Sequence, residues 1–422
     1  MEFGVRGRAL QLGAVILQKL LSRTDAGYRG SAIPCSCGEK ARFVEHRTKR
    51  LGTLLGEIEI RRAYYHCEKC RQGMFPQDRT WDVEGCGYSP GLKRLVSRIG
   101  GQESFALASE DLRELAGIEV SGKEVERISE EVGEEILKVE EAFRQDVFSE
   151  NVTPLPLPRE EVGKVYIEVD GTGVPVVPSE TAGRKGRGPD GKARTREAKL
   201  GAVFTQTKFD AKGKPVRDEG SCTYVGAIET AEEVGKELYT EVERRGFSKA
   251  KKIVLGDGAV WIWELAEEHF PEAVQIVDLY HAREHLWSVG NALYPNDEKK
   301  RKRWVGSRIK QLDRGDIPAL LKAFDLAHAP NEKVGETLRK EREYFNKNRA
   351  RMRYKKFKAE GLFVGSGVIE AGCKSVIGHR LKQSGMRWTV RGANAILALR
   401  RCRLSGGWED FWAERADQRA AA

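Results

Sequence analysis

Two hydrophobic rhythms run along the chain, and the places where they change mark its organisation. Residues 9–21, "ALQLGAVILQKLL", carry apolar positions at helical spacing and predict an amphipathic helix. Gln and Lys interrupt that run and no small-residue cleavage site follows, which argues against a signal peptide. The stretch "ARFVEHRTKRLGTLLGEIEIRRAYY" reads instead as the strands of a ribbon. From 90 to 148 the helical period returns. There "SFALASEDLRELAGIEVSGKEVERISEEVGEEI" places Leu112, Leu115 and Ala116 on one face and breaks at Gly117. It restarts behind Ser121 as an N-cap, with Val125, Ile128 and Val132 inside. This is a helix-turn-helix pattern, but its second helix is crowded with Glu, which repels phosphates. A plain helical packing unit fits it as well as a DNA reader does.

A Pro-rich linker over 151–163 then separates this region from one where strands alternate with helices. "KVYIEVD" alternates with Val165, Ile167 and Val169 on one face, and "GVPVVP" is expected to return after a turn at "DGTG". "KLGAVFTQTKFD" and "SCTYVGAI" extend an antiparallel meander. A helix over about 229–245, strand "KIVLGDG", helix "AVWIWELAEEHF", strand "AVQIVD" and helix "LYHAREHLWSVGNAL" follow. Strand and helix in alternation imply parallel pairing through crossovers, so the expected fold is α/β with a mixed sheet. Between 288 and 360 the strand signal vanishes and Lys/Arg-rich helices take over, as in an all-helical insertion; strong helical text resumes at "GSGVIEAGCKSVIGHRLKQ".

Composition narrows the function classes. With 422 residues, 40% hydrophobic and 32% charged, the chain has a globular rather than a disordered profile. Its 73 Lys+Arg against 63 Asp+Glu favour an anionic partner, nucleic acid ahead of membrane surface. No apolar run approaches the roughly 18 residues that span a bilayer, and the expected location is cytoplasmic. Of eight cysteines, four form two close pairs, Cys35 with Cys37 in "PCSCGEK" and Cys67 with Cys70 in "YYHCEKCRQG". A thiolate quartet suits one structural, tetrahedral Zn²⁺, with His66 or Cys86 as substitutes for one ligand. A redox C-x-x-C pair is the rival, but the surrounding strands lack the βαβ context it needs. Cys222, Cys373 and Cys402 read as small buried hydrophobes.

Three strands end in acids: Asp170 after "YIEV", Asp257 after "IVLG" and Asp278 after "VQIV". Sites form at the carboxyl ends of parallel strands, where loops and helix N-termini converge. Singly, Asp170 reads as a hairpin residue and Asp257 as a turn or N-cap residue; their coincidence on one sheet edge points to a metal site. Hard divalent ions want a third carboxylate. Glu370 is the candidate, on a helix that Ser366 is expected to cap and whose Ile369, Cys373, Val376 and Ile377 face inward. The plainer reading of Glu370 is an i, i+4 pair with Lys374 on a solvated face.

Taken together, "VYIEVDGTGVPVV", "VLGDGAVWIWELAEEHFP", "VDLYHAREHLW" and "GSGVIEAGCKSVIGHRLKQSGMRWTVRGANAILALR" resemble the DDE transposases of bacterial insertion sequences, most closely the ISKra-type family, which is related to Mutator-like elements. The resemblance runs from the "CSCG…CEKC" ribbon to the Trp388 region. It implies an RNase H-like catalytic domain with Asp170, Asp257 and Glu370 as the three acids that hold two Mg²⁺ or Mn²⁺ ions. It also implies an accessory active-site role for Asp278 and His281 in "DLYH". The resulting organisation is an N-terminal helix (1–30), a zinc ribbon (31–89), a helical module (90–150), the linker, and a catalytic domain in two parts (164–287 and 361–422) around the insertion (288–360). The implied activity is metal-dependent DNA nicking and strand transfer without a protein nucleophile, on the element's terminal repeats and on target DNA, by a homo-oligomer assembled on DNA in the bacterial nucleoid.

Basic text offers the DNA path. The loop "GRKGRGPDGKARTREAK", the run Lys299, Lys300, Arg301, Lys302 and Arg303, and the stretch with Arg349, Arg351, Arg353, Lys355 and Lys356 concentrate cations. Tyr344, Phe345, Tyr354 and Phe357 interleave with the last of these as candidate base-stacking residues. Arg380, Lys382 and Arg387 follow the Glu370 helix as further phosphate contacts, while Trp388 reads as core. Two other classes remain open from residues alone: an inactive or domesticated DNA-binding protein on the same scaffold, separated by metal-dependent nicking, and a two-carboxylate glycosidase, separated by salt-sensitive DNA retention.

Overall fold

The computed structural model describes residues 1–149, 163–186, 188 and 190–421, so nearly all of the expected linker lies outside the described residues. Two compact units emerge, residues 1–137 with 398–422, and residues 138–397. The division falls within a helix, not at the Pro-rich stretch, and it returns the last residues of the chain to the first unit.

In the first unit, helix α1 (Glu2–Ser22) precedes strands β1 (Ala32–Pro34), β2 (Lys40–Thr53), β3 (Gly56–His66) and β4 (Gly73–Met74), an antiparallel sheet in sequential order. Alternation along β2 and β3 buries Leu51, Ile58 and Ile60 against Ala14, Leu17 and Leu21 of α1. Short α2 (Pro76–Thr80) is followed by α3 (Pro90–Gly100), capped by Ser89, and by α4 (Phe105–Asp111), capped by Ser104. The chain then widens into a π-turn over Leu112–Ala116, stops at left-handed Gly117, and restarts as α5 (Gly122–Phe148) with Ser121 Oγ accepting from Glu124 N at 3.2 Å. The wider turn carries Leu115 past the inward face. It is 70% exposed, whereas the helical period expects it inside.

The second unit is built on strands β5 (Lys164–Pro175) and β6 (Thr195–Thr205), a small hairpin of β7 (Lys208–Phe209) and β8 (Pro215–Val216), then β9 (Thr223–Ala227), α6 (Ala231–Arg244), β10 (Lys251–Gly256), α7 (Val260–His269), β11 (Val274–Val277) and α8 (Leu279–Leu293). Its mixed sheet has the order β11-β10-β5-β6-β9, with β5, β10 and β11 parallel and β5, β6 and β9 antiparallel. The expected turn at "DGTG" does not form. β5 runs straight through it, and Asp170 pairs with Leu200 in an unbroken register down to Pro175 opposite Thr195. Pairing with β6 keeps Gly171 and Gly173 extended, and the missing Cβ at each leaves room for the Glu197 and Thr195 side chains, which would come within 2.6 and 3.2 Å of it.

Helices α9 (Glu298–Arg314), α10 (Ile317–Asp325), α11 (Glu332–Lys347) and α12 (Tyr354–Ala359) follow, the first three capped by Asp297, Asp316 and Asn331. Their inward residues, Val305, Leu312, Leu320, Phe345, Tyr354 and Phe357 among them, share one continuous core with the sheet strands. This removes Phe345, Tyr354 and Phe357 as base-stacking residues: all three are buried. Helix α13 (Gly367–Gly372) runs through a π-segment, Cys373–Gly378, into α14 (His379–Leu381), and α15 (Val390–Leu404) and α16 (Trp408–Ala421) end the chain. Among the described residues no helix is long and apolar enough to cross a membrane.

Candidate functional site

Two side-chain groupings carry metal chemistry, one in each unit. In the first, the β1–β2 and β3–β4 turns bring Cys35, Cys37, Cys67 and Cys70 together with all four Sγ atoms within 4.8 Å of one another. Cys35 to Cys70 and Cys35 to Cys37 are 3.5 Å, and Cys37 to Cys67 is 3.6 Å. Zinc–sulfur bonds of about 2.3 Å at tetrahedral angles require S···S separations of about 3.8 Å, so the quartet fits one zinc ion. Backbone geometry holds it: Cys35 N donates to Glu39 O at 2.8 Å, and Cys67 N to Gln72 O at 3.0 Å. The Cys37 backbone N–H leads in pulling the Cys35 thiol down to about 7. At Cys70 the Gln72 N–H also pulls down, but burial and the three neighbouring sulfurs outweigh it and hold that thiol up at about 12. Four crowded sulfurs do not lose their protons together without a cation. The two substitute ligands stand elsewhere, His66 beside the Tyr64 hydroxyl and Cys86 in the cluster under α1.

In the second unit the three acids expected at strand ends lie level on neighbouring strands, although β5 continues five residues past Asp170. Leu255 pairs with Glu168 and Gly256 with Val277, and these parallel registers, continued past the strand ends, carry Asp257 level with Asp170 and with Asp278. Asp170 is half-buried; burial, with the Asp257 charge adding, pushes its carboxyl above the usual range against the Gly171 N–H. Asp257 Oδ1 accepts from Ala259 N at 2.8 Å, an Asx turn just ahead of α7, whose N-cap is Ala259. Glu370 is exposed at the surface of α13, and its charge reaches both Glu168 and Cys373. Glycine at 372 lets this helix lie close on the sheet, since a Cβ there would meet Tyr224 at 2.7 Å and Leu200 at 3.3 Å. Among the described residues only the cysteine quartet closes to within 4.8 Å; the carboxylates are spaced more widely, with the Asp257 charge acting on Asp170 and the Asp170 and Glu370 charges both acting on Cys373. Mutually repelling carboxylates are the donor set that suits Mg²⁺ or Mn²⁺.

The other expected site residues divide sharply. Asp278 is buried and already engaged: Oδ1 accepts from His281 N at 2.6 Å, and Oδ2 accepts from the backbone and hydroxyl of Ser366. It braces the chain ahead of α13 rather than facing a phosphate, and Ser366 donates to it instead of capping α13. His281 is half-buried beside Asp170, its Nε2 3.2 Å from His285 Nε2. Of the cations, Lys299, Lys300, Lys302, Arg303, Arg349, Arg353, Lys355, Lys356, Lys382 and Arg387 are exposed. Lys300 and Lys302 pair with Asp297 and Glu298 on their own helix. Arg301 is half-buried against the carbonyls of Tyr294 and Pro295. Arg351 reaches Gln275 at 2.6 Å and Glu267 at 3.2 Å and stacks over Trp263, which makes it a packing residue. Arg380 is fully buried, over the Trp388 ring and against Met386, so it presents nothing to a phosphate. The "GRKGRGPDGKARTREAK" loop lies partly outside the described residues.

Four further residues belong to this neighbourhood, of which the sequence marks only Tyr344 as functional, and that as a base-stacking residue rather than as a support of the Asp257 turn. Tyr344 of α11 donates its hydroxyl to the Asp257 carbonyl at 2.8 Å and lies on Gly258, whose φ of +104° leaves room for the ring. His285 stacks on Tyr344 with ring centroids 3.8 Å apart and bonds through Nδ1 to Glu341. Cys373, expected to be a buried hydrophobe, hydrogen-bonds Asp170, and its thiol is held well up by burial and the neighbouring Asp170 charge. Glu168, two residues before Asp170 and on the same face of β5, is buried with Oε2 accepting from Ile369 N at 2.8 Å. Burial, with the Asp278 and Glu370 charges adding, holds its carboxyl up at about 8. The folded protein therefore keeps a proton that the unfolded chain releases near 4.5, and stability present below that value is lost as pH rises to about 8. The thermal midpoint of metal-free protein should fall across that window, and should fall less in Glu168→Gln; equal slopes would contradict the burial of a titrating acid.

No family model matches the chain. Over 385 residues, 86% of this chain and 74% of the relative, it is 23% identical to a protein of Streptococcus gallolyticus described as "UPF0236 protein in vanSb 3'region". That description states no activity. At this identity it marks a distant relative of most of the chain's length.

Proposed function

We propose that this protein is a DDE transposase whose second unit is an RNase H-like catalytic domain, acting on DNA at the ends of its own insertion sequence. The observation that supports the reading is the level placement of Asp170 on β5 and Asp257 just past the end of adjacent parallel β10, with Glu370 on α13 close enough for its charge to act on Glu168 of β5 and on Cys373. Bound Mg²⁺ or Mn²⁺ would supply activation of the attacking oxygen and stabilisation of the departing 3′-oxygen. The residues do the rest. Asp170, Asp257 and Glu370 hold the charge that retains the ions, Tyr344 and the Ala259 N–H fix the Asp257 turn, and Asp278 braces the approach to Glu370. His281, whose charge reaches Asp170, is a group able to donate to a phosphate oxygen. The cysteine quartet takes a structural zinc that serves the ribbon's fold. Strand cleavage in Mg²⁺ or Mn²⁺ on DNA carrying the sequences that flank the reading frame is the test; DNA retention without cleavage by wild-type protein would favour the binding-protein reading instead.

The DNA path in this proposal runs over the exposed cations of α9. Neutralising Lys299, Lys300, Arg301, Lys302 and Arg303 together should weaken binding with little sequence dependence. It should also flatten the slope of log K against log salt by roughly 0.9 for each phosphate that the variant no longer neutralises. A slope equal to wild type would make this run a solvated face only.

A further inference from the structure

We propose that Glu168 is a positioning residue for Glu370: its buried carboxyl group fastens the first turn of α13 to β5 and so fixes the third acid of the site. The proposal rests on the transposase reading and deepens it.

A carboxylate in the middle of an otherwise apolar strand needs a reason, because burying it costs more than burying the leucine or valine that would pack there. Glu168 is fully buried between its strand neighbours Leu255 on β10 and Ala202 on β6. Its Oε2 accepts from the backbone N–H of Ile369, the residue next to Glu370, and the Val368 N–H also bonds this carboxylate. Those amides belong to the first turn of α13, entered through Gly365 and Ser366, and a π-segment from Cys373 interrupts the regular helix behind it. The N–H groups of a first turn have no partner within their own helix, and each residue turns the side-chain direction by about 100°, so the contact that holds this turn sets where Glu370 points. Glu370 donates only its own backbone N–H to Ser366 O, at 3.1 Å, so its side-chain direction is inherited from the turn that Glu168 ties. Asp278 holds the same segment one step earlier, through Ser366. Two buried acids thus pin the residues before Glu370, and one rises from the strand that also carries Asp170. The other oxygen, Oε1, has no protein hydrogen-bond partner, so the tie runs through Oε2 alone.

An acceptor at this place is sufficient, and this separates positioning from ion binding. Glu168→Gln keeps an acceptor for the Ile369 amide, and its cleavage rate should stay within about threefold of wild type with an unchanged Mn²⁺ concentration dependence. Glu168→Leu removes the acceptor and should cut the rate about 10²-fold, the scale expected for a misplacement of about 1 Å. It should also move the Mn²⁺ midpoint to higher concentration and speed amide hydrogen exchange over 364–372, read without metal. Exchange over this segment in Glu168→Gln should match wild type. A Glu168→Gln protein as inactive as Asp170→Asn, in a background where wild type cleaves, overturns the proposal alone, because the charge would then be the requirement. Wild-type exchange and rate in Glu168→Leu overturn it equally. If the Leu variant does not fold, Glu168→Ala and Glu168→Gln are compared by the same exchange measurement, and equal protection in both overturns it. Wild-type protein that neither binds Mn²⁺ in calorimetry nor cleaves overturns the transposase reading, and the proposal with it.

Discussion

Asp170→Asn, Asp257→Asn and Glu370→Gln should each lower strand cleavage and transfer by on the order of 10³-fold or more while leaving the fold and most DNA binding intact. The local geometry says why the fold survives. Asp170 Oδ1 accepts from Gly171 N at 2.7 Å and Asp257 Oδ1 from Ala259 N at 2.8 Å, and an amide oxygen makes the same bonds. Glu370 is exposed, so a neutral amide there leaves no buried group without a partner. What each change removes is one negative charge from the set that retains a divalent cation. Mn²⁺ calorimetry reads that loss directly, and thermal melting checks the fold. Were Asp170 only a strand residue paired with Leu200, Asn would be tolerated there and activity would persist.

Cys67→Ser or Cys70→Ser should release stoichiometric zinc and destabilise residues 30–80, first at the quartet end of the ribbon, since its other end packs on α1. The core beside the quartet is small: Ala41, Ala63 and Tyr65, with Ile33, Phe43 and Met74 packed on them. A core of that size does not hold a ribbon by itself, whereas structural zinc contributes an apparent ~10–16 kcal/mol of coupled folding energy. Elemental analysis of protein purified without chelator should find about one zinc per chain, and limited proteolysis of the Ser variants should cut first within the ribbon. Absence of stoichiometric zinc in the wild type, or equal protease resistance in the variants, would contradict this role.

Much of this was legible in the sequence for a physical reason. Period-two alternation and acids at strand ends are local patterns, and they mark β5, β10, β11 and the positions of Asp170, Asp257 and Asp278 without any structure. The cysteine pairs are local too, and their spacing carries the metal geometry. What the sequence hid depends on contacts between distant residues. Tyr344 meets the Asp257 carbonyl across 87 positions of chain, and nothing around either residue signals it. Arg380 and Arg351 read as phosphate contacts because charge is visible in sequence while burial over Trp388 or Trp263 is not. The "DGTG" turn failed because pairing with β6 continues through both glycines, a tertiary outcome that overrides local turn chemistry. Glu168 was within reach. It shares the face of Asp170 in "YIEVD", and an acid at that place in an apolar strand is itself a signal that something across the face receives it.

The central claim, that the site of Asp170, Asp257 and Glu370 performs metal-dependent phosphodiester chemistry, meets its most direct test in one assay. Wild-type protein is incubated with DNA carrying both flanks of its reading frame, in Mg²⁺ or Mn²⁺ and in EDTA, and the ends of any cut strand are mapped. The account predicts cuts at the element boundaries that leave 3′-hydroxyl ends, depend on the cation, and disappear in Asp170→Asn. Cleavage that persists in EDTA, or that Asp170→Asn carries out at the wild-type rate, would contradict it.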